Sequence, residues 1–173
     1  DYVEDLLDLA RLRAESEGIY FEQMFDPIGA LAPIGERYLV EPLLRVVGQI
    51  DLGSDPLPRH ALADQAGKAI GDLRLKSARP WLLEIHQELK DKLRFQSRIN
   101  PLEDVLYATE IALYKLGDKR PADLRINQLK AEARFMSRSR DELASYYMRM
   151  GRYADAIAIY EGNIADPNRY GSV

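Results

Sequence analysis

A chain of 173 residues, 46% hydrophobic and 30% charged, has enough apolar mass for one ordinary domain or a short helical array, and too much for a disordered chain. Its net charge of −4 and isoelectric point near 5.3 give no general attraction to polyphosphates, so nucleic acid is disfavoured as a partner. The lack of cysteine excludes disulfides, thiolate catalysis and cysteine-held zinc, and no run approaches the roughly 20 apolar residues of a membrane span.

The opening Asp1-Tyr2-Val3-Glu4-Asp5 is acidic where a signal peptide is basic, which with the missing cysteines fits a cytoplasmic protein. A start at Asp1 rather than methionine is compatible with an excised domain or a processed product, from which any address sequence could have been lost.

Apolar residues recur at three- and four-residue steps nearly throughout, the pattern of helices that bury one stripe. Val3, Leu6, Leu7, Ala10 and Ala14 predict a first helix ended by Gly18, and Ile19 to Phe25 a second stretch halted at Asp26-Pro27. Pro27 to Ile50 reads as two short helices interrupted near Gly35. The run Asp51-Leu-Gly-Ser-Asp-Pro-Leu-Pro58 concentrates turn formers and is the expected internal boundary.

Beyond it, Leu62, Ala66, Ala69, Ile70 and Leu73 define one helix, and Leu82, Ile85, Leu89 and Leu93 define its partner, with Pro80 in the first turn. Asn100-Pro101 opens the next unit, where Leu106, Thr109, Leu113 and Leu116 form one stripe and Ile126, Leu129, Ala133 and Met136 another. Leu143, Tyr147 and Met150 precede Gly151; Ala156, Ile157, Tyr160 and Ile164 follow it, and Asp166-Pro167-Asn168 closes the last helix. Strand alternation and hairpin signals are nearly absent, so β structure should be minor.

Gly117 and Gly151 stand 34 residues apart, each after an apolar helical segment and each five residues before an alanine, Ala122 and Ala156. That period marks a helical repeat. Leu143 to Tyr160 resembles a tetratricopeptide repeat: Leu143-Ala144 matches its Leu-Gly pair, Tyr147 its first-helix aromatic, Gly151-x-Tyr153 its turn, Ala156 and Tyr160 its second-helix alanine and aromatic, and Pro167 approximately its closing proline. Arg140 stands where that family prefers tryptophan. Asp104 to Ala133 is a weaker copy through Gly117 and Ala122, with Pro121 at the start of its second helix.

Leu31-Ala32-x-Ile34-Gly35-Glu36 with Pro42-Leu43-Leu44, loosely echoed by Ala69-Ile70-Gly71-Asp72 with Pro80-Trp81-Leu82-Leu83, is similar to HEAT repeats. Three segments follow: a HEAT-like helical part over 1–50, a HEAT-like hairpin over 59–99 and tetratricopeptide-like repeats over 102–173. Both resemblances imply an all-α, right-handed α-solenoid of stacked helical hairpins, whose concave face binds a protein or peptide rather than catalysing a reaction.

Carried over by position, the concave contacts of the tetratricopeptide family fall on Tyr107, Ile111 and Tyr114, then on Arg138, Ser145, Met148 and Arg149. The competing reading is that the aromatics among them pack against the neighbouring hairpin. The lysine and asparagine clamp with which one subgroup grips terminal carboxylates is absent, Tyr107, Ile111, Asp141 and Ser145 standing in its places. From Lys130 to Arg152 bases outnumber acids, whereas residues 1–26 are strongly acidic, an opposition that suits head-to-tail self-association or an acidic partner. Tyr146, Tyr153 and Tyr170, without a polar capping helix, are compatible with a longer solenoid.

The search for chemistry finds two histidines and neither a His-Glu-x-x-His motif nor a glycine-rich phosphate loop, so no catalytic residue, cofactor or metal is expected. The alternative is an enzyme or enzyme subunit on a HEAT-like scaffold, with a cleft near His60 or His86. Glu84 and Glu88, four residues apart near His86, read as a solvated face, and Trp81 beside Pro80 as a core anchor.

Overall fold

Helical periodicity in the sequence becomes helix along the chain. The structure, a computed structural model, describes residues 2–15, 28–48, 57–94 and 102–164, and no strand occurs among them. The elements are α1 (Tyr2–Glu15), a 3-10 turn (Gly29–Ile34), α2 (Glu36–Gly48), α3 (Leu57–Asp72), a second 3-10 turn (Lys76–Ala78), α4 (Arg79–Leu93), α5 (Leu102–Lys115), α6 (Arg120–Glu132), α7 (Ser137–Arg149) and α8 (Tyr153–Ile164). The expected stretch Ile19 to Phe25, most of the Asp51–Pro58 turn, Asn100-Pro101, Pro167 and Tyr170 lie outside the described residues.

Proline and glycine punctuate these elements for separate reasons. Gly35, at φ +86°, turns the chain between the first 3-10 turn and α2, as the break near that glycine anticipates. Pro80 and Pro121 sit in the first turns of α4 and α6, where a missing N–H costs nothing. Pro42 lies inside α2, where it removes one intrahelical hydrogen bond.

Contacts divide the chain into two compact units, Asp1–Gly117 and Asp118–Val173. This partition differs from the three expected segments. Helices α2 and α3, on either side of the boundary expected at Asp51–Pro58, pack against each other inside the first unit, and Leu57 and Pro58 already belong to α3.

In the first unit α2, α3, α5 and α4 form a ring: α3 packs between α2 and α5, α5 between α3 and α4, and α2 meets α4 along the thinnest of the four contacts. The expected HEAT-like pairing of α3 with α4 is thereby replaced, since both take α5 and α2 as their principal neighbours. The cause is steric. Gly67 and Gly71, one turn apart on α3, face Ala108 and Ala112 on α5, and a Cβ on Gly71 would lie 2.9 Å from the Ala112 Cα. Small residues on both surfaces let these two backbones approach closely.

Around that contact, Leu39, Leu43 and Val47 of α2, Ala63, Ala66 and Ile70 of α3, Leu82 and Leu89 of α4, and Leu102, Val105 and Leu113 of α5 build one continuous core. Helix α1 adds Val3, Leu6 and Leu7 and packs chiefly on α3. Lys115 at the end of α5 pairs with Asp72 at the end of α3, tying the central helices together where their cores run out.

In the second unit α7 packs between α6 and α8, each helix on its sequence neighbour. Gly151, at φ +77°, makes the turn between α7 and α8, a backbone state that costs other residues roughly 1 kcal/mol. Ala144 and Ala156 are fully buried where α7 and α8 meet, and Tyr147 is buried beneath the Arg152 guanidinium, 4.6 Å from its ring centre. Tyr160, matched to the second-helix aromatic of the tetratricopeptide pattern, is 41% exposed, because α8 buries only the side carrying Ala156.

Candidate functional site

The thin side of the four-helix ring is also where its surface opens. Between α2 and α4 lies a groove of about 610 Å³, floored by Val40, Leu44 and Ile85, walled by Trp81, and rimmed by Glu41, Arg45, Glu84 and Glu88. Its residues recur at helical steps on both helices, on faces adjacent to those that build the core. Helix α2 turns Leu39, Leu43 and Val47 inward and leaves Val40 and Leu44 half-buried on its flank; α4 turns Leu82, His86 and Leu89 inward and leaves Trp81 and Ile85 on the flank.

Both ends of this seam are fastened. Ser77, two residues before α4, donates from its backbone N–H (2.7 Å) and its hydroxyl (2.8 Å) to the Glu36 carboxylate at the start of α2. The backbone hydrogen bond foremost, then the hydroxyl and the charge of Lys76, hold the Glu36 carboxyl below its ordinary value, against a small opposing effect of burial. Toward the other end, Gly48 comes close enough to α4 that a Cβ there would lie 3.5 Å from the Ile85 Cδ1.

Trp81 is 57% exposed and does not anchor the core, contrary to the sequence expectation. The reason is its place one residue before Leu82, which takes the inward position on α4. Glu84 and Glu88 are exposed as expected, but they edge an apolar groove rather than a plain solvated face. Among the described residues, Glu41, Glu84 and Glu88 form no ion pair, so three carboxylates face a single guanidinium, Arg45, around the rim.

The residues transferred from the tetratricopeptide pattern divide between the units. In the first, Ile111 is only 4% exposed and offers a partner almost no surface, a correction that follows from α5 being packed by α3 and α4 at once. Tyr107 and Tyr114 are half-buried on the same helix. In the second, Arg138, Ser145 and Met148 are exposed on α7 and Arg149 is half-buried.

The basic stretch from Lys130 to Arg152 is largely tied within its own unit. Arg138 pairs with Glu142 at 2.9 Å, Arg152 with Asp155 at 2.7 Å, and the Arg140 Nε donates to the Ala133 carbonyl at 2.9 Å. These guanidinium groups spend their hydrogen bonds on positioning α7 and α8.

His86 does not line the groove. His86 faces inward, its Nε2 3.4 Å from the Glu110 Oε1 of α5, with both side chains buried. The side chain of His60 falls outside the described residues, and no cluster of three metal-ligating side chains occurs among the residues described. What this arrangement offers chemically is an apolar trough with an acidic edge.

Comparison with known proteins gives no match: no family model fits the chain, and no curated protein or solved structure is significantly similar to it.

Proposed function

We propose that this chain is a non-catalytic binding module for a protein or peptide, and that the groove between α2 and α4 is its principal contact site. The observation that carries the reading is Trp81, more than half exposed above an apolar floor of Val40, Leu44 and Ile85. Leaving an indole in water forgoes a large burial energy, and tryptophan beside an apolar trough is the side chain that most often dominates a protein interface. A volume of about 610 Å³ accommodates a few apolar side chains of a partner.

The exposed part of α7, with Arg138, Ser145 and Met148, is a secondary face in this proposal. The in-sequence packing of α6, α7 and α8 supports hairpin stacking of the tetratricopeptide kind in the second unit, and with it the broader expectation of an α-solenoid. The ring of the first unit confines that expectation to the second.

Trp81 is the sole tryptophan, so its emission reports directly on the groove. Panning a displayed library of helical and extended peptides on the intact chain should yield ligands that shift this emission to shorter wavelength and are lost with Leu44→Glu. Ligands indifferent to Leu44→Glu, with unchanged tryptophan emission, would remove the groove from the proposal.

A further inference from the structure

We infer that the α2–α4 groove takes an amphipathic helix whose apolar face is flanked by lysine or arginine. This rests on the peptide-binding reading above and adds the chemistry of the partner.

The walls of the groove argue for a helix. Both are α-helices whose backbone groups, apart from the bond missing at Pro42, are bonded within their own turns, so they present side chains and no free row of N–H and C=O groups. An extended segment seated here would leave its own backbone polar groups without partners on the floor, which is wholly apolar at Val40, Leu44 and Ile85. A helical segment brings its backbone already satisfied and needs only apolar side chains at three- and four-residue steps to meet that floor.

The rim argues for basic flanks. Glu84 and Glu88 lie one turn apart along the α4 edge, and the α2 edge carries Glu41 followed one turn later by Arg45. A cationic flank on the bound helix meets two carboxylates along α4. On the α2 side, a base opposite Glu41 and an acid opposite Arg45 set its direction, since reversing the helix places like charges together. The same acidic edge repels anionic lipid headgroups, so a protein helix and not a membrane surface is the occupant.

The test uses three synthetic helical peptides with identical leucine anchors and lysine, glutamine or glutamate at the flanking positions, titrated against the intact chain and followed by Trp81 emission. The lysine peptide should bind roughly tenfold more tightly than the glutamate peptide in dilute buffer, with the difference shrinking as salt is added. In Glu84→Lys/Glu88→Lys, whose altered side chains are exposed and whose folding is checked by circular dichroism, the order should reverse in favour of the glutamate peptide.

Equal affinities for all three peptides, each still shifting the emission, would overturn the basic-helix inference while leaving peptide binding intact. If no peptide shifts the emission, inference and parent reading fall together. A concentration-dependent dimer whose dissociation moves Trp81 emission to longer wavelength would overturn the inference in favour of a second copy as the occupant.

Discussion

Gly71 of α3 and Ala112 of α5 are so close that a single added methyl group at Gly71 would stand 2.9 Å from the Ala112 Cα. Opposing effects therefore meet in Gly71→Ala. Replacing a helical glycine with alanine favours the helix by about 1 kcal/mol, whereas forcing atoms into a filled contact costs about 1–3 kcal/mol. The obstacle is backbone and cannot rotate away, so the clash should win and urea denaturation should show a net loss. Gly162→Ala on α8, with open space around the new Cβ, should show the gain alone. Equal effects from the two substitutions would contradict the close approach of α3 and α5.

The buried contact of His86 with Glu110 joins α4 to α5 at 3.4 Å. Taking away either side chain removes a buried polar contact between the two helices, so His86→Leu and Glu110→Met should each cost about 1–3 kcal/mol. Combining them removes both polar groups, and the double variant should lose less than the sum of the two. A strictly additive double-mutant cycle would mean the two side chains are not coupled.

Glu36 supplies a pH dependence whose sign is determined. Its carboxyl is held below the ordinary value of 4.5 by the Ser77 backbone N–H foremost, so the folded state favours the charged form. The stabilisation is complete above that ordinary value and is lost as pH falls through the depressed one. Wild type should melt slightly above Glu36→Gln near neutral pH, and the two curves should converge in acid. The effect is small because the pair is exposed to solvent. A gap that persists unchanged at low pH would assign it to something other than this carboxylate.

Trp81 and Leu82 are neighbours in sequence with opposite environments, 57% exposed and fully buried. Leu82→Ala should cost about 2–5 kcal/mol, as truncations in a filled core do, whereas Trp81→Ala should change stability by less than about 1 kcal/mol. Far-ultraviolet circular dichroism during urea denaturation measures both, because it does not need the indole. A large loss from Trp81→Ala would return that residue to the core.

Much of this fold is legible residue by residue. Of the stripe Leu82, Ile85, Leu89 and Leu93, Leu82 and Leu89 are buried and Ile85 and Leu93 half-buried, and Gly35 and Gly151 mark the turns where positive φ is found. Which helix pairs with which is less legible. The spacing of Gly67 with Gly71 on α3 and of Ala108 with Ala112 on α5 carries that information, but complementary small residues more than 40 positions apart reveal a contact only once both helices are placed.

The groove was hidden for a related reason. Val40 with Leu44 and Trp81 with Ile85 form apolar pairs beside the core stripes, which widens each helix's apolar arc beyond what one neighbour can cover. That excess is the signal periodicity offers. Whether a flank is buried by a third helix or left open depends on the unequal sides of the ring. Ile111 failed as a surface residue in the opposite sense, because α5 is covered on two sides rather than one.

The unequal ring also sets an order of opening. Helices α3 and α5, joined by glycine-to-alanine contact and by Lys115 with Asp72, should hold the amides that exchange last with deuterated solvent. Helix α2, short of one internal bond at Pro42 and resting on its thinnest neighbour along α4, should open before them. An incoming segment that braces α2 against α4 would therefore slow exchange at the rim more than at the centre, making the bound molecule a temporary fifth stave of the barrel.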